Sequence, residues 1–208
     1  MAKKEQTKDR ASVPLIAMSG PQALNQGIWQ ICDVLRRSNC ASALQYVPEL
    51  TWILFLRVLD EQEAIEREEA EALGLAYTPS LATPYRWQDW AAPPDFKNGD
   101  KPDGPKTSDG KPLGWRRRVL QESKRGDYFA FVNGELLPHL RELRDQPGAS
   151  PKQQVISEII SPIERVRIDT ESNFADVLDR VHALRLAGTD TQHQFMLSQV
   201  YEGLLLKM

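Results

Sequence analysis

The stretch LTWILFLRVLDEQEAIEREEAEALG, Leu50–Gly74, decides how this chain folds. Its first part is apolar on every side: Trp52, Ile53, Leu54, Phe55, Leu56, Val58 and Leu59 cover the whole circumference of a helix. A helix that is apolar all round is enclosed by other elements. From Asp60 to Ala72 the same helix carries seven acids and one arginine, so this half is expected to be solvated and to project from the body. Gly74 is placed to cap its C-terminus.

Reading outward toward the N-terminus, Leu24, Ile28, Ile31, Cys32 and Leu35 recur at helical spacing and bury one face. Pro21 fits the first turn of that helix, where a missing N–H costs nothing. Ser42 or the residues before Pro48 restart the chain, and Pro48 is a candidate to open the next helix. Residues 1–20 are a polar lead.

Toward the C-terminus, residues 79–114 hold seven of the 14 prolines and four of the 12 glycines. A loop of this length is uncommon inside a domain. Trp87 and Trp90 argue that its first part packs on the body, and residues 97–114 read as a long Pro/Gly-rich loop. Helical signals return at WRRRVLQESK. Phe129, Val132, Leu136, Leu140 and Leu143 then form a buried stripe that Pro138 should kink or split. Ser150 is a capping candidate for the next helix. Leu178, Val181 and Leu184 mark one more, and a closing helix follows Asp190 as its cap. No segment alternates with the two-residue period of a strand. The fold class is therefore all-α, a compact bundle of roughly seven or eight helices spanning 21–208 after the 1–20 tail.

The chain has 208 residues, 41% hydrophobic and 26% charged, which suits a soluble globular protein. No apolar run approaches the ~18 residues of a membrane span, and no signal-peptide stretch follows the polar start. Cys32 and Cys40 have neither metal nor disulfide spacing, which points to a reducing, cytoplasmic setting. Net charge is −3, so the protein is not a uniformly basic nucleic-acid binder, although a local basic patch remains compatible.

Catalytic and cofactor motifs are missing from the pattern. His139, His182 and His193 lie in different segments without metal spacing. No two glycines are spaced G-x-G, and there is no phosphate-loop motif. The expectation is no catalytic, cofactor-binding or metal site in this chain. The one concentration of positive charge is WRRRVLQESKR, with Arg116, Arg117, Arg118, Lys124 and Arg125 against Glu122. Three consecutive arginines on a helix spread over ~200° of arc, so they cannot all be buried. These five residues are the candidates for contact with DNA phosphates, weighed against a plain solvated face.

The order of these segments resembles the N-terminal helical domain of the modification (M) subunit of type I restriction-modification enzymes, which are adenine-specific DNA methyltransferases. The helix Ile28–Arg36 carries Trp29, Asp33, Leu35 and Arg36 in that family's pattern. Phe55–Asp60 matches its buried helix, and Tyr201, Glu202, Leu204 and Leu205 match its final one. The long loop at 97–114 and the leading tail depart from the pattern. The resemblance implies a module that associates with the specificity subunit and a second M subunit, joins the restriction subunit in the full complex, and helps the assembly close on double-stranded DNA. It also implies that S-adenosylmethionine binds a Rossmann-like domain that follows in the full-length subunit, and that this chain stops before it. The stretch APPDF, Ala92–Phe96, only mimics the catalytic motif of such enzymes. Ala92 cannot accept the hydrogen bond of a target amino group, and Asp95 displaces the aromatic ring by one position. A free-standing α-helical adaptor with only protein partners is the alternative.

Overall fold

The computed structural model describes residues 21–40, 42–94, 106–184 and 186. Among them the chain is all-α. The helices are α1 (Pro21–Arg37), α2 (Ala43–Ala72), α3 (Trp87–Trp90), α4 (Trp115–Ser123), α5 (Asp127–Phe131), α6 (Leu137–Glu142), α7 (Pro151–Ile160) and α8 (Glu171–Ala183). No described helix is long and apolar enough to cross a membrane. The leading tail, the central part of the Pro/Gly loop, His193 and the expected closing helix with Asp190 and Tyr201 lie outside the described residues.

Along α1 the helical spacing buries one face, with Leu24, Ile28, Ile31, Cys32 and Leu35 all enclosed. In α2, Trp52 and Ile53 are fully enclosed, and Leu54 and Leu56 nearly so. α2 packs against α1, α3 and α8. An aromatic cluster joins the helices around it. Trp52 lies 6.4 Å from both Trp90 of α3 and Phe174 of α8, measured between ring centroids. Tyr128 and Phe129 of α5 reach Phe174 at 5.6 and 5.7 Å. Four helices thus converge on one interior through rings, whose large buried area makes them strong contributors to core stability.

The helix boundaries follow local chemistry. α2 starts at Ala43 with Ser42 as its N-cap, earlier than a start at Pro48 would give, and Pro48 sits inside the helix. The Gln45 side chain reaches back to the Ser42 N–H at 3.2 Å, which holds that start in place. At the other end Gly74 has φ +68, and Leu75 N–H bonds Ala70 O at 2.8 Å while Gly74 N–H bonds Glu71 O at 3.1 Å. This is the double hydrogen bond of a Schellman cap. Ser150 caps α7 by accepting the Gln153 N–H at 3.2 Å. Pro138 splits its segment as expected. A π-turn over Val132–Leu136 precedes α6, so the backbone changes its hydrogen-bonding period just before the proline that has no N–H to donate. Val132, Leu136, Leu140 and Leu143 nevertheless stay on one buried stripe.

Candidate functional site

The basic segment lies on α4 and the turn that follows it. α4 is anchored at its start. Gly114 donates its N–H to Gln88 O at 2.8 Å, and the Trp115 indole N–H bonds the Asp89 carboxylate at 3.0 Å. Asp89 is fully buried and is held in turn by Arg86 through two hydrogen bonds of 2.9 Å. Arg86 also pairs with Asp109 at 2.8 Å, so this one network ties the returning end of the Pro/Gly loop to α3.

The five candidate cations separate into three environments. Arg117 points inward and is 3% exposed. Its guanidinium pairs with Asp179 of α8 at 2.6 Å and bonds the carbonyls of Ala91 at 3.0 Å and Ala175 at 3.4 Å. The expectation that Arg117 meets a phosphate is therefore corrected. It is a bolt between α4, α3 and α8, and opening the pair would strand the buried guanidinium. Arg116 is half-buried, with its guanidinium 5.1 Å from the centre of the Phe131 ring. Arg118 pairs with Glu122 one turn on, at 2.6 Å. Lys124 and Arg125 are exposed in the turn between α4 and α5, which closes through Gly126 at φ +102. The Glu171 carboxylate braces that turn from below by accepting the N–H groups of Gly126 at 3.1 Å and Phe129 at 2.9 Å. The accessible positive charge is thus the rigid Lys124–Arg125 turn, with Arg118 beside it.

The acidic half of α2 is less solvated than its composition suggests. Arg57 reaches Asp60 at 2.8 Å and Glu61 at 2.7 Å, and Glu61 also accepts the Leu186 N–H at 2.7 Å. Glu63 accepts the Ser80 N–H at 2.9 Å, and Glu66 meets Lys152 and the Tyr77 hydroxyl. The hydrogen bond from Lys152 holds the Glu66 carboxyl below its ordinary range. One face of this half is therefore covered by residues 77–81 and α7, while Glu68, Glu69 and Glu71 stay exposed. A cleft of about 80 Å³ opens along the covered face, lined by Leu59, Asp60, Glu63, Tyr77, Arg86 and Trp87 among others.

Two buried titratable groups sit away from these faces. Burial pushes the Glu49 carboxyl up to about 7, although it accepts the Arg167 N–H at 3.3 Å. Burial, reinforced by Arg57 and Arg117, pushes His182 down to about 4, and its neutral Nδ1 accepts the Trp87 indole N–H at 3.1 Å. His139 stacks on Tyr85 with ring centres 3.9 Å apart. Both histidines serve packing. Among the described residues no group of His, Cys, Asp and Glu is arranged to hold a metal ion.

The family model of the HsdM N-terminal domain matches residues 24–181. The chain belongs to this family. It is an N-terminal helical domain of a type I restriction-modification M subunit. The methylase subunit of the type I restriction enzyme EcoEI of Escherichia coli is 22% identical over 184 residues, 88% of this chain and 31% of that protein. A crystal structure of a modification subunit ascribed to a type I restriction enzyme of Vibrio vulnificus YJ016 shares the fold. Its TM-score is 0.61 at 23% identity, over 95% of this chain and 37% of that one. A second structure, from work on complex assembly and conformational transition of the type I restriction-modification system, gives a TM-score of 0.56 at 31% identity. It covers 90% of this chain and 30% of that one. The chain therefore spans about a third of the length of the relatives it matches. In this HsdM N-terminal domain the matched segment contains the aromatic interior, the Arg117–Asp179 bolt and the Lys124–Arg125 turn.

Proposed function

We propose that this domain is a non-catalytic assembly module of a site-specific DNA adenine-N6 methyltransferase. It docks the specificity subunit and a second M subunit, meets the restriction subunit in the full complex, and helps the assembly close on double-stranded DNA. The single observation that carries this reading is the family match over residues 24–181. The structural relative described in the setting of complex assembly supports the docking part. Methyl transfer belongs to another part of the enzyme, which supplies the S-adenosylmethionine site. This chain contributes shape and charge.

DNA contact falls to the exposed turn. Lys124 and Arg125 are presented on a short loop braced by Glu171, which limits the entropy lost when they meet a phosphate. Contacts of this kind position DNA without reading its sequence. The acids of α2 repel a phosphate backbone and suit contact with protein. In the assembled methyltransferase, a Lys124→Ala, Arg125→Ala double substitution should weaken binding on all DNA sequences alike. The slope of log K against log salt should become shallower by about 1 for each lost contact, with site preference unchanged. Unchanged affinity and slope would assign this turn to solvent and leave subunit docking as the domain's role.

A further inference from the structure

The tip of α2 is built differently from the rest of the surface. Residues 71–76 are all exposed, and after Glu71 none of them is polar. Leu73 and Leu75 are 74% and 62% exposed and flank Gly74. The double hydrogen bond of the Schellman cap fixes the backbone here, so the two leucines are held out on a rigid support. The turn immediately before them carries the exposed Glu68, Glu69 and Glu71. The other acids of the helix are already engaged by Arg57, Lys152 and backbone N–H groups. Arg67 approaches Glu71 at 3.9 Å, and Glu68 and Glu69 leave this end of α2 with net negative charge beside its exposed apolar tip.

We infer that this tip is a docking surface for a protein segment of another subunit, one that presents an aliphatic side chain flanked by lysine or arginine. The charge selects the occupant. Three clustered carboxylates against the single Arg67 still repel nucleic acid, and they complement a basic segment. Two leucines fixed in place add apolar area at little further ordering cost on binding. Residues 71–76 are already exposed and make none of the contacts that hold α2 to Tyr77, Ser80 and Lys152, so the tip can be occupied without opening them. This inference rests on the assembly reading above and names the surface that carries it.

The test uses the complete modification subunit mixed with its specificity and partner subunits. Leu73→Ser with Leu75→Ser should leave the melting temperature of the subunit unchanged, because both side chains are already in water. It should raise the dissociation constant of assembly at least tenfold, as read by mass photometry. Charge reversal, with lysine at positions 68, 69 and 71, should do the same and make the residual affinity rise with salt. A photo-cross-linker in place of Leu75 should capture a basic peptide of another subunit. Assembly by the wild-type subunit together with full-strength assembly by both variants would overturn the tip proposal alone. A cross-link only to DNA or to the same chain would overturn it as well. Failure of the wild-type subunit to assemble at all would instead overturn the assembly reading.

Discussion

Leu54→Asp is expected to leave no cooperative fold. Leu54 is 3% exposed near the centre of α2, two residues after Trp52 of the Trp52–Trp90–Phe174 cluster. The substitution removes the burial of a leucine, about 2 kcal/mol. It also places a carboxylate where it must be either desolvated without a partner or protonated, at several kcal/mol more. A domain with ~5–15 kcal/mol of total stability does not absorb that sum easily. Circular dichroism should show loss of the thermal transition. Leu73→Asp is the matched control on the same helix, because its site is 74% exposed, and its melting curve should be unchanged. A soluble Leu54→Asp variant melting with the wild type would show that α2 is not the hub of the fold.

The second large effect is expected at Gly114. Its φ of +65 lies in the left-handed region, which already costs an L side chain about 1–2 kcal/mol. In addition, a Cβ there would stand 2.5 Å from the Ala92 carbonyl oxygen and 2.8 Å from the Pro94 nitrogen, both backbone atoms. Something must move, and the movable part is the start of α4. Displacing it strains the Trp115–Asp89 hydrogen bond and the Arg117 bolt together. Gly114→Ala should therefore lower the melting temperature by roughly 10 °C, on the scale of 2–4 °C per kcal/mol for a chain of this size. Gly110 separates the two causes. Its φ is +76, but nothing lies within 4 Å of where its Cβ would be. Gly110→Ala should cost only the backbone part, a few degrees. Equal losses at the two positions would show that the packing of 92–94 against α4 is not what Gly114 serves.

These two sites also show what the amino-acid order reveals and what it hides. The enclosure of α2 is legible because seven apolar residues cover its whole circumference, and no soluble arrangement leaves that exposed. The caps at Ser150 and Gly74 are legible because they depend on residues a few positions apart. Arg117 is different. It differs from Arg116 and Arg118 only in phase, and the neighbouring apolar pair Val119–Leu120 leaves that phase ambiguous. Leu120 is buried and lies three residues after Arg117 on the same face, whereas Val119 is 51% exposed. Choosing Leu120 as the inward residue would have turned Arg117 inward with it. Its partner Asp179 is 62 positions away, which no local pattern supplies. The acids of α2 misled for the same reason. A carboxylate destined for Ser80 N–H or Leu186 N–H looks in the sequence like one destined for water, because its partner is a backbone group brought near by folding. The APPDF stretch shows the converse. Its chemistry rules out the methyltransferase motif from residue types alone, and the backbone of Ala92 and Pro94 serves instead as the wall against which Gly114 packs.

In the role proposed above, this domain supports methylation by holding an assembly on DNA and leaves the chemistry to the rest of the enzyme. Methyl transfer from S-adenosylmethionine to double-stranded DNA tests it most directly. The comparison is between the complete modification enzyme, the same enzyme with residues 21–184 deleted, and the isolated chain. The account predicts transfer by the complete enzyme and none by the chain alone. The deleted enzyme should still bind S-adenosylmethionine but lose at least tenfold in methylation, together with its grip on DNA. Methylation by the isolated chain, or an undiminished rate after the deletion, would contradict it.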